Sequence, residues 1–148
     1  IKECTLSDVD GIILPDLPLE EAKEFCDMSK ASKISPILLV APNSSKERIK
    51  KISELAGDLI YAVSILGITG NELSSKTKLK NYLNRVRENS QTPFVVGFGI
   101  STREDVQWFN KHSDGAVVGS AIIEKLSTSK EIKLSIQNYI RSLKGKID

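Results

Sequence analysis

Five short apolar runs recur along the sequence and are the feature that most constrains its fold. They read VDGIILPD (9–16), PILLVAP (36–42), LIYAVS (59–64), PFVVGFG (93–99) and GAVVGSA (115–121). Their nearly continuous Val, Ile and Leu content is typical of strands buried on both faces, as in a parallel sheet. The segments between them carry apolar residues every three or four positions, which predicts amphipathic helices. The sequence therefore predicts an α/β fold with a parallel sheet, as one domain over residues 1–148.

The predicted helices each present one apolar stripe, and two of them have a recognisable start. The stripes are Leu19, Ala22 and Cys26; Ile49, Ile52 and Ala56; Leu79, Leu83 and Val86; and Ile132, Ile136, Tyr139 and Leu143. Ser44 with Glu47 and Ser101 with Glu104 match the Ser-x-x-Glu capping box, in which the serine caps the first turn. We therefore expect helices to begin directly after Ser44 and Ser101.

Composition and charge exclude several classes of partner. The 148 residues carry a formal net charge of +2. The lysine-rich segments KERIKK and KTKLK contain no aromatic residues, so they indicate a solvent-facing helix surface and not a nucleic-acid-binding patch. Cys4 and Cys26 have neither a metal-ligand spacing nor a disulfide framework, which indicates a reducing compartment. The apolar runs are too short to span a bilayer. We expect no nucleic acid, membrane or metal partner.

Two architectures share the strand–helix repeat, and glycines distinguish them. A doubly wound sheet places a G-x-G-x-x-G loop after its first strand, whereas GFGIST follows the fourth run and has Thr102 at the third glycine position. A (β/α)₈ barrel instead binds phosphate with the loops after its last two strands and a helix N-terminus. Gly99, Gly119 and Ser120 end the last two runs, so the sequence favours a barrel with a phosphate site there.

The connection after the third run is longer than the others. Pro93 lies 34 positions after Leu59, whereas the neighbouring connections of the repeat take 23 positions. The additional length falls in ILGITGNELSSKT, where Gly67 and Gly70 flank Ile68 and Thr69. A glycine-flanked loop at a barrel mouth is typical of a lid, and the alternative is a surface loop without a role.

The same segments resemble the tryptophan synthase alpha chain family. DGIILPDLPLEEA, PILLVAPNSSKERI, LIYAVSILGITG, PFVVGFGIS and GAVVGSAI match that family in order and spacing, with Asp-x-Pro at 16–18, Pro-Asn at 42–43 and G-[IV]-T-G at 67–70 as the most specific pieces. The resemblance implies a TIM (β/α)₈ barrel, of which this chain would supply the last five βα units. It also implies a lyase of tryptophan biosynthesis that cleaves indole-3-glycerol phosphate to indole and glyceraldehyde 3-phosphate.

Site residues follow from the resemblance position by position. Gly70, Gly99, Gly119 and Ser120 would hold the substrate phosphate, Tyr61 would line the pocket, Thr69 would lie on the lid and Phe98 would pack near the indole. Asp16, Pro18 and Asn43 would face a beta chain, which converts indole and serine to tryptophan with its own pyridoxal phosphate in an alpha-beta-beta-alpha heterotetramer. No cofactor is expected in this chain. The implied compartment is the cytoplasm, or the plastid stroma in a plastid-bearing organism.

The chemistry leaves a gap that the sequence does not fill. Protonating indole C3 requires an acid, and charge on the indole nitrogen requires a carboxylate. In the family a Glu and an Asp on the first two strands supply them, so both are expected upstream of Ile1, and the fragment alone is expected to be inactive. Ile12, Leu14, Leu38 and Val95 are expected to face the barrel interior. The alternatives are another sugar-phosphate barrel enzyme of tryptophan or histidine biosynthesis, and a non-catalytic barrel-derived binding module.

Overall fold

The protein alternates strands and helices along the chain. The computed structural model describes residues 1–64 and 72–145, without the side chains of residues 72–75. In chain order its elements are α1 (Lys2–Leu6), β1 (Gly11–Ile13), α2 (Ala22–Ala31), β2 (Ser35–Val40), α3 (Lys46–Leu55), β3 (Ile60–Val63), α4 (Glu72–Asn89), β4 (Phe94–Gly97), α5 (Arg103–Asn110), β5 (Gly115–Ala116), α6 (Ser120–Thr128) and α7 (Ile132–Lys144). All five predicted strands form, although each is shorter than its apolar run.

The strand order identifies the architecture. Each strand pairs in parallel with the next strand along the chain, in the order β1-β2-β3-β4-β5. A doubly wound sheet reverses its order at a switch point, and this sheet does not reverse. The expectation of a TIM barrel represented by consecutive βα units is therefore confirmed, and the carboxyl ends of the five strands meet at one edge.

One face of the sheet is covered by helices, and the core lies between the two layers. Along β2, buried residues alternate with half-buried ones, so every second side chain points into the core. The helix stripes predicted for α2, α3 and α4 are confirmed, since Ala22, Cys26, Ile49, Ile52, Ala56, Leu79, Leu83 and Val86 are all buried. The stripe on α7 is buried only at Leu143, whereas Ile132 is 47% exposed. No helix in residues 1–64 and 72–145 is long and apolar enough to cross a membrane.

The residues predicted to face the barrel interior divide between the two faces. Leu38 is 6% exposed and belongs to the core beneath the helices, which contradicts the prediction. Ile12 pairs with Pro36, which is buried on the same helix-covered face, so Ile12 also faces the helices and the prediction for it is wrong. Val95 is half-buried on the opposite face, as predicted, and Leu14 lies beyond the end of β1. Successive side chains of a strand point to opposite faces. When a run is apolar at every position, the sequence does not reveal which alternate residues face the helices.

The start of α3 lies one residue later than predicted. The N-cap is Ser45, whose Oγ accepts a hydrogen bond from the Arg48 N–H at 3.2 Å. Ser44 is buried, and its Oγ accepts from the Ala41 N–H at 3.1 Å, so it closes the preceding turn. Adjacent serines are chemically equivalent caps, and the path of the turn decides between them.

The start of α5 shifts in the same direction. Thr102 is the N-cap, and it forms a complete capping box with Asp105 in place of the predicted Ser101 and Glu104. The Asp105 N–H donates to Thr102 Oγ1 at 3.1 Å, and the Thr102 N–H donates to Asp105 Oδ2 at 3.0 Å. The segment STRED (101–105) contains two overlapping capping-box sequences. The one formed by Thr102 and Asp105 is used because the chain turns at Thr102.

Candidate phosphate-binding site

The carboxyl ends of β4 and β5 bring the two predicted glycine loops together. Val96 of β4 pairs with Ala116 of β5, and the Val117 N–H extends the ladder by donating to the Val96 carbonyl at 2.7 Å. Gly99 and Gly119 each lie three positions beyond the pair Val96–Ala116. The register therefore places both glycines at the same edge of adjacent strands.

Gly119 and Ser120 form the start of α6. Gly119 is the N-cap, and its carbonyl accepts from the N–H groups of Ile122 at 2.9 Å and Ile123 at 3.2 Å. In the described part of the chain, the N–H groups of Gly119 and Ser120 donate to no protein acceptor. Among the described residues, a Cβ added at Gly119 would meet no atom within 4 Å, so these residues leave the space in front of this backbone open. Free N–H groups at a helix N-terminus favour an anion.

The loop after β4 turns through two residues in left-handed backbone conformations. Phe98 has a φ of +81° and Gly99 a φ of +75°. Glycine adopts this conformation without cost, whereas a bulky residue is strained by about 1–3 kcal/mol. Phe98 is also 59% exposed, so its ring gains little from burial. A strained and exposed aromatic residue at a barrel mouth is typical of a ligand contact.

Tyr61 explains why β4 ends in glycine. Its ring lies over Gly97, where an added Cβ would overlap the Tyr61 hydroxyl. The Tyr61 ring also contacts Phe98 edge to face, with ring centroids 6.0 Å apart and an interplanar angle of 84°. Burial raises the pKa of the Tyr61 hydroxyl above its ordinary value. Tyr61 and Phe98, two of the predicted substrate-binding residues, therefore lie together on the mouth of the sheet.

Ser64 is a residue of this region that sequence reasoning did not single out. It is 1% exposed, and its Oγ donates to the Gly97 carbonyl at 2.8 Å and to the Phe98 carbonyl at 2.7 Å. The sequence shows that Ser64 ends the run LIYAVS. It does not show which groups accept hydrogen bonds from Ser64, because they lie more than 30 residues further along the chain.

Two side chains hold the far side of the same loop. Asp105 Oδ2 accepts from the N–H groups of Ser101 at 3.2 Å and Thr102 at 3.0 Å. Burial acts to raise the pKa of the Asp105 carboxyl, but the hydrogen bonds from Thr102 and Ser101 together lower it below its ordinary value. The Tyr139 hydroxyl of α7 donates to the Ser101 carbonyl at 2.7 Å. The loop from Phe98 to Thr102 is thus fixed at both ends.

The residues predicted to face a partner follow β1 and β2. Asp16 and Pro18 are exposed in the loop before α2, and Asn43 is exposed in the turn before α3. Because β1 and β2 are adjacent and parallel, both loops lie at the same edge of the sheet as the glycine loops. The structure brings the three residues to one edge of the molecule after β1 and β2, whereas Tyr61 lies on β3 and Gly119 follows β5.

Two side chains of α4 hold the turn that carries Asn43. The Tyr82 hydroxyl donates to the Val40 carbonyl at 2.9 Å, and the Arg85 guanidinium donates to the Pro42 carbonyl. Tyr82 is 3% exposed, and burial raises the pKa of its hydroxyl. The helix that follows the β3–α4 connection is therefore bonded to the turn on which Asn43 lies. With 18 residues, α4 itself takes up most of the additional length that the sequence assigned to this connection.

The remaining predicted site residues are outside the described part of the chain. Thr69 and Gly70 belong to residues 65–71, so the predictions of a lid and of a phosphate contact from Gly70 stay predictions. Within the described residues, no group of three or more His, Cys, Asp or Glu could hold a metal ion. The arrangement that the described residues present is a set of backbone donors beside an aromatic pair.

Comparison with known proteins gives a consistent result along the chain. The family model described as "Tryptophan synthase alpha chain" matches residues 1–146. The chain is 38% identical over 148 residues to the tryptophan synthase alpha chain of Petrotoga mobilis, covering 97% of this chain and 57% of the relative. It is 44% identical over 124 residues to that of Methanocaldococcus jannaschii, covering 84% of this chain and 44% of the relative. The chain thus spans about half the length of the curated relatives it matches.

Solved structures agree with the fold. The structure titled "Structural basis of mutual activation of the tryptophan synthase a2b2 complex" from Pyrococcus furiosus superposes with a TM-score of 0.84 at 32% identity, covering 97% of this chain and 58% of that chain. Tryptophan synthase subunit alpha from Campylobacter jejuni gives a TM-score of 0.81 at 28% identity, covering 93% and 55%. From the family match over residues 1–146, the chain belongs to the tryptophan synthase alpha chain family.

Proposed function

We propose that this chain supplies the phosphate-binding side of a lyase that cleaves indole-3-glycerol phosphate to indole and glyceraldehyde 3-phosphate in tryptophan biosynthesis. The observation that carries the proposal is the parallel pairing of β4 with β5, whose register puts the β4–α5 glycine loop and the N-terminus of α6 at the same edge of the sheet. The membership of the chain in the alpha chain family supports the choice of substrate. Residues 1–148 would act as one partial-barrel domain.

The proposed roles divide the substrate between two groups of residues. The N–H groups of Gly119 and Ser120 lie at the N-terminus of α6 and meet no protein acceptor among the described residues, so they would bind the phosphate together with the N–H group of Gly99 in the adjacent loop. Tyr61 and Phe98 would pack against the indole, since their rings already form an edge-to-face pair at the mouth. Thr69 and Gly70 would complete the site from the β3–α4 connection.

Binding, and not proton transfer, is the role we assign to this chain. The reaction requires an acid at indole C3 and a carboxylate at the indole nitrogen. We propose that a Glu and an Asp outside residues 1–148 supply both. Asp16 is exposed in the loop after β1 and is assigned, with Pro18 and Asn43, to the face toward a beta chain. The Pyrococcus furiosus complex, titled an a2b2 complex, supports an assembly of this kind.

The two free cysteines support a reducing compartment. We propose the cytoplasm, or the plastid stroma in a plastid-bearing organism.

The test is binding and turnover of the alpha chain expressed at its native length with its beta chain. We expect cleavage of indole-3-glycerol phosphate, and competitive inhibition by indole-propanol phosphate, which keeps the indole and the phosphate but lacks the glycerol hydroxyl groups that a retro-aldol cleavage requires. Turnover of a different sugar phosphate, without cleavage of indole-3-glycerol phosphate, would favour the alternative barrel enzyme. Binding of the beta chain without turnover of either would favour the binding module.

A further inference from the structure

We propose that Ser64 is a positioning residue for the substrate-binding loop: its buried hydroxyl holds the carbonyl of Phe98 and so keeps Phe98 and Gly99 in their binding conformation. This inference rests on the proposed function, because it assigns Ser64 to the site described there. It adds a residue that contacts no substrate and acts through the loop.

The hydrogen bonds of Ser64 are distributed unequally over the loop. The Ser64 N–H donates to the Gly97 carbonyl at 2.9 Å, and Oγ lies 2.8 Å from that carbonyl and 2.7 Å from the Phe98 carbonyl. A hydroxyl carries one hydrogen, so the two carbonyls share it. Removing the hydroxyl leaves Gly97 with its backbone bond. The loss therefore falls on the Phe98 carbonyl.

A hydrogen bond to the Phe98 carbonyl is needed to hold this loop in its observed conformation. Phe98 has a φ of +81° and is 59% exposed, so neither its backbone preference nor burial of its ring selects the observed conformation. Its edge-to-face contact with Tyr61 fixes the ring. The bond from Ser64 fixes the backbone that leads into Gly99. A strained segment persists only when its surroundings determine it. Among the described residues, Ser64 is the side chain bonded to the Phe98 carbonyl itself.

A second buried serine provides a matched control. Ser113 is 6% exposed, and its Oγ donates to the carbonyls of Phe109 at 2.8 Å and Gly115 at 3.0 Å. Like Ser64, Ser113 is therefore a buried serine whose hydroxyl donates to two backbone carbonyls. Ser113 precedes β5 and lies at the amino end of the strands, opposite the candidate site. Ser113→Ala therefore removes an equivalent bond without touching the mouth.

The experiment compares Ser64→Ala, Ser64→Thr and Ser113→Ala in the native-length alpha chain assembled with its beta chain. We expect Ser64→Ala to raise the KM for indole-3-glycerol phosphate and the Kd for indole-propanol phosphate by about 10-fold, as for one hydrogen bond, with a much smaller change in kcat. Ser64→Thr keeps the hydroxyl and should restore both values to within about threefold of wild type. Ser113→Ala should lower the thermal midpoint and leave both constants unchanged.

Each outcome decides the inference. Equal shifts in Kd for Ser64→Ala and Ser113→Ala, or no shift for Ser64→Ala, would overturn it, because Ser64 would then be only structural. If Ser64→Ala does not fold, Ser64→Cys replaces it: a weak thiol donor should give an intermediate Kd, and a wild-type Kd would contradict the proposal. Wild-type protein that neither cleaves the substrate nor binds the analogue would instead overturn the proposed function, before any variant is compared.

Discussion

Replacing Gly119 with alanine separates ligand binding from folding at the candidate phosphate site. A Cβ at this position meets no atom of residues 1–64 or 72–145 within 4 Å, and the φ of −117° is open to residues other than glycine. Alanine is a poorer N-cap than glycine by roughly 0.5–1 kcal/mol. It also lowers the entropy of the unfolded chain, which stabilises the protein by about 0.4–1 kcal/mol. The two effects oppose each other, so we expect the free energy of unfolding to change by less than about 0.5 kcal/mol.

Ligand binding should respond much more strongly to the same change. The new methyl group would occupy the open space through which an anion approaches the N–H groups of Gly119 and Ser120. A hydrogen bond to a charged group contributes about 1.5–3 kcal/mol, and each 1.4 kcal/mol is a factor of ten in affinity. We therefore expect the KM for indole-3-glycerol phosphate to rise roughly 10- to 150-fold.

The assay measures steady-state kinetics and urea unfolding on the same preparations of the native-length protein. Gly115→Ala is the control, because its Cβ would lie 3.2 Å from a Val95 methyl group, on the sheet and away from the mouth. That variant should lose stability and keep its KM. If Gly119→Ala binds substrate normally, no anion approaches this backbone and the assignment of the site is wrong.

Three further predictions use other features of the fold. Gly97→Ala should displace the Tyr61 ring, with a loss of about 1–3 kcal/mol in unfolding free energy and weaker binding of indole-propanol phosphate, and unchanged stability would contradict the packing. Asp105→Asn should cost stability above about pH 5, and the difference from wild type should shrink as the pH falls through the lowered folded pKa of Asp105; a difference independent of pH would exclude the charged cap. Residues 1–148 expressed alone should self-associate in sedimentation experiments, because in the described residues the outer edges of β1 and β5 pair with no strand, and a stable monomer would refute this.

The sequence by itself determined the strand–helix repeat, the parallel sheet and the position of the candidate site. Val, Ile and Leu runs at regular spacing specify buried parallel strands, since few other elements are apolar at every position. Gly99 and Gly119 could be placed at one edge from the sequence because parallel strands all end on the same side. Tyr61 and Phe98 do not follow from this argument: only the resemblance to the family predicts them as substrate-binding residues.

Only the tertiary structure decided which side chains cap the helices, which strand residues face the core, and which hydroxyls bond to the loop after β4. The choice of Ser45 over Ser44 and of Thr102 over Ser101 depends on where the chain turns, which equivalent neighbouring residues do not reveal. The face of Leu38 depends on strand parity, which a fully apolar run conceals. Ser64 and Tyr139 bond to carbonyls more than 30 residues away. Backbone carbonyls are the same in every residue, so no sequence pattern marks the ones that a distant hydroxyl will meet.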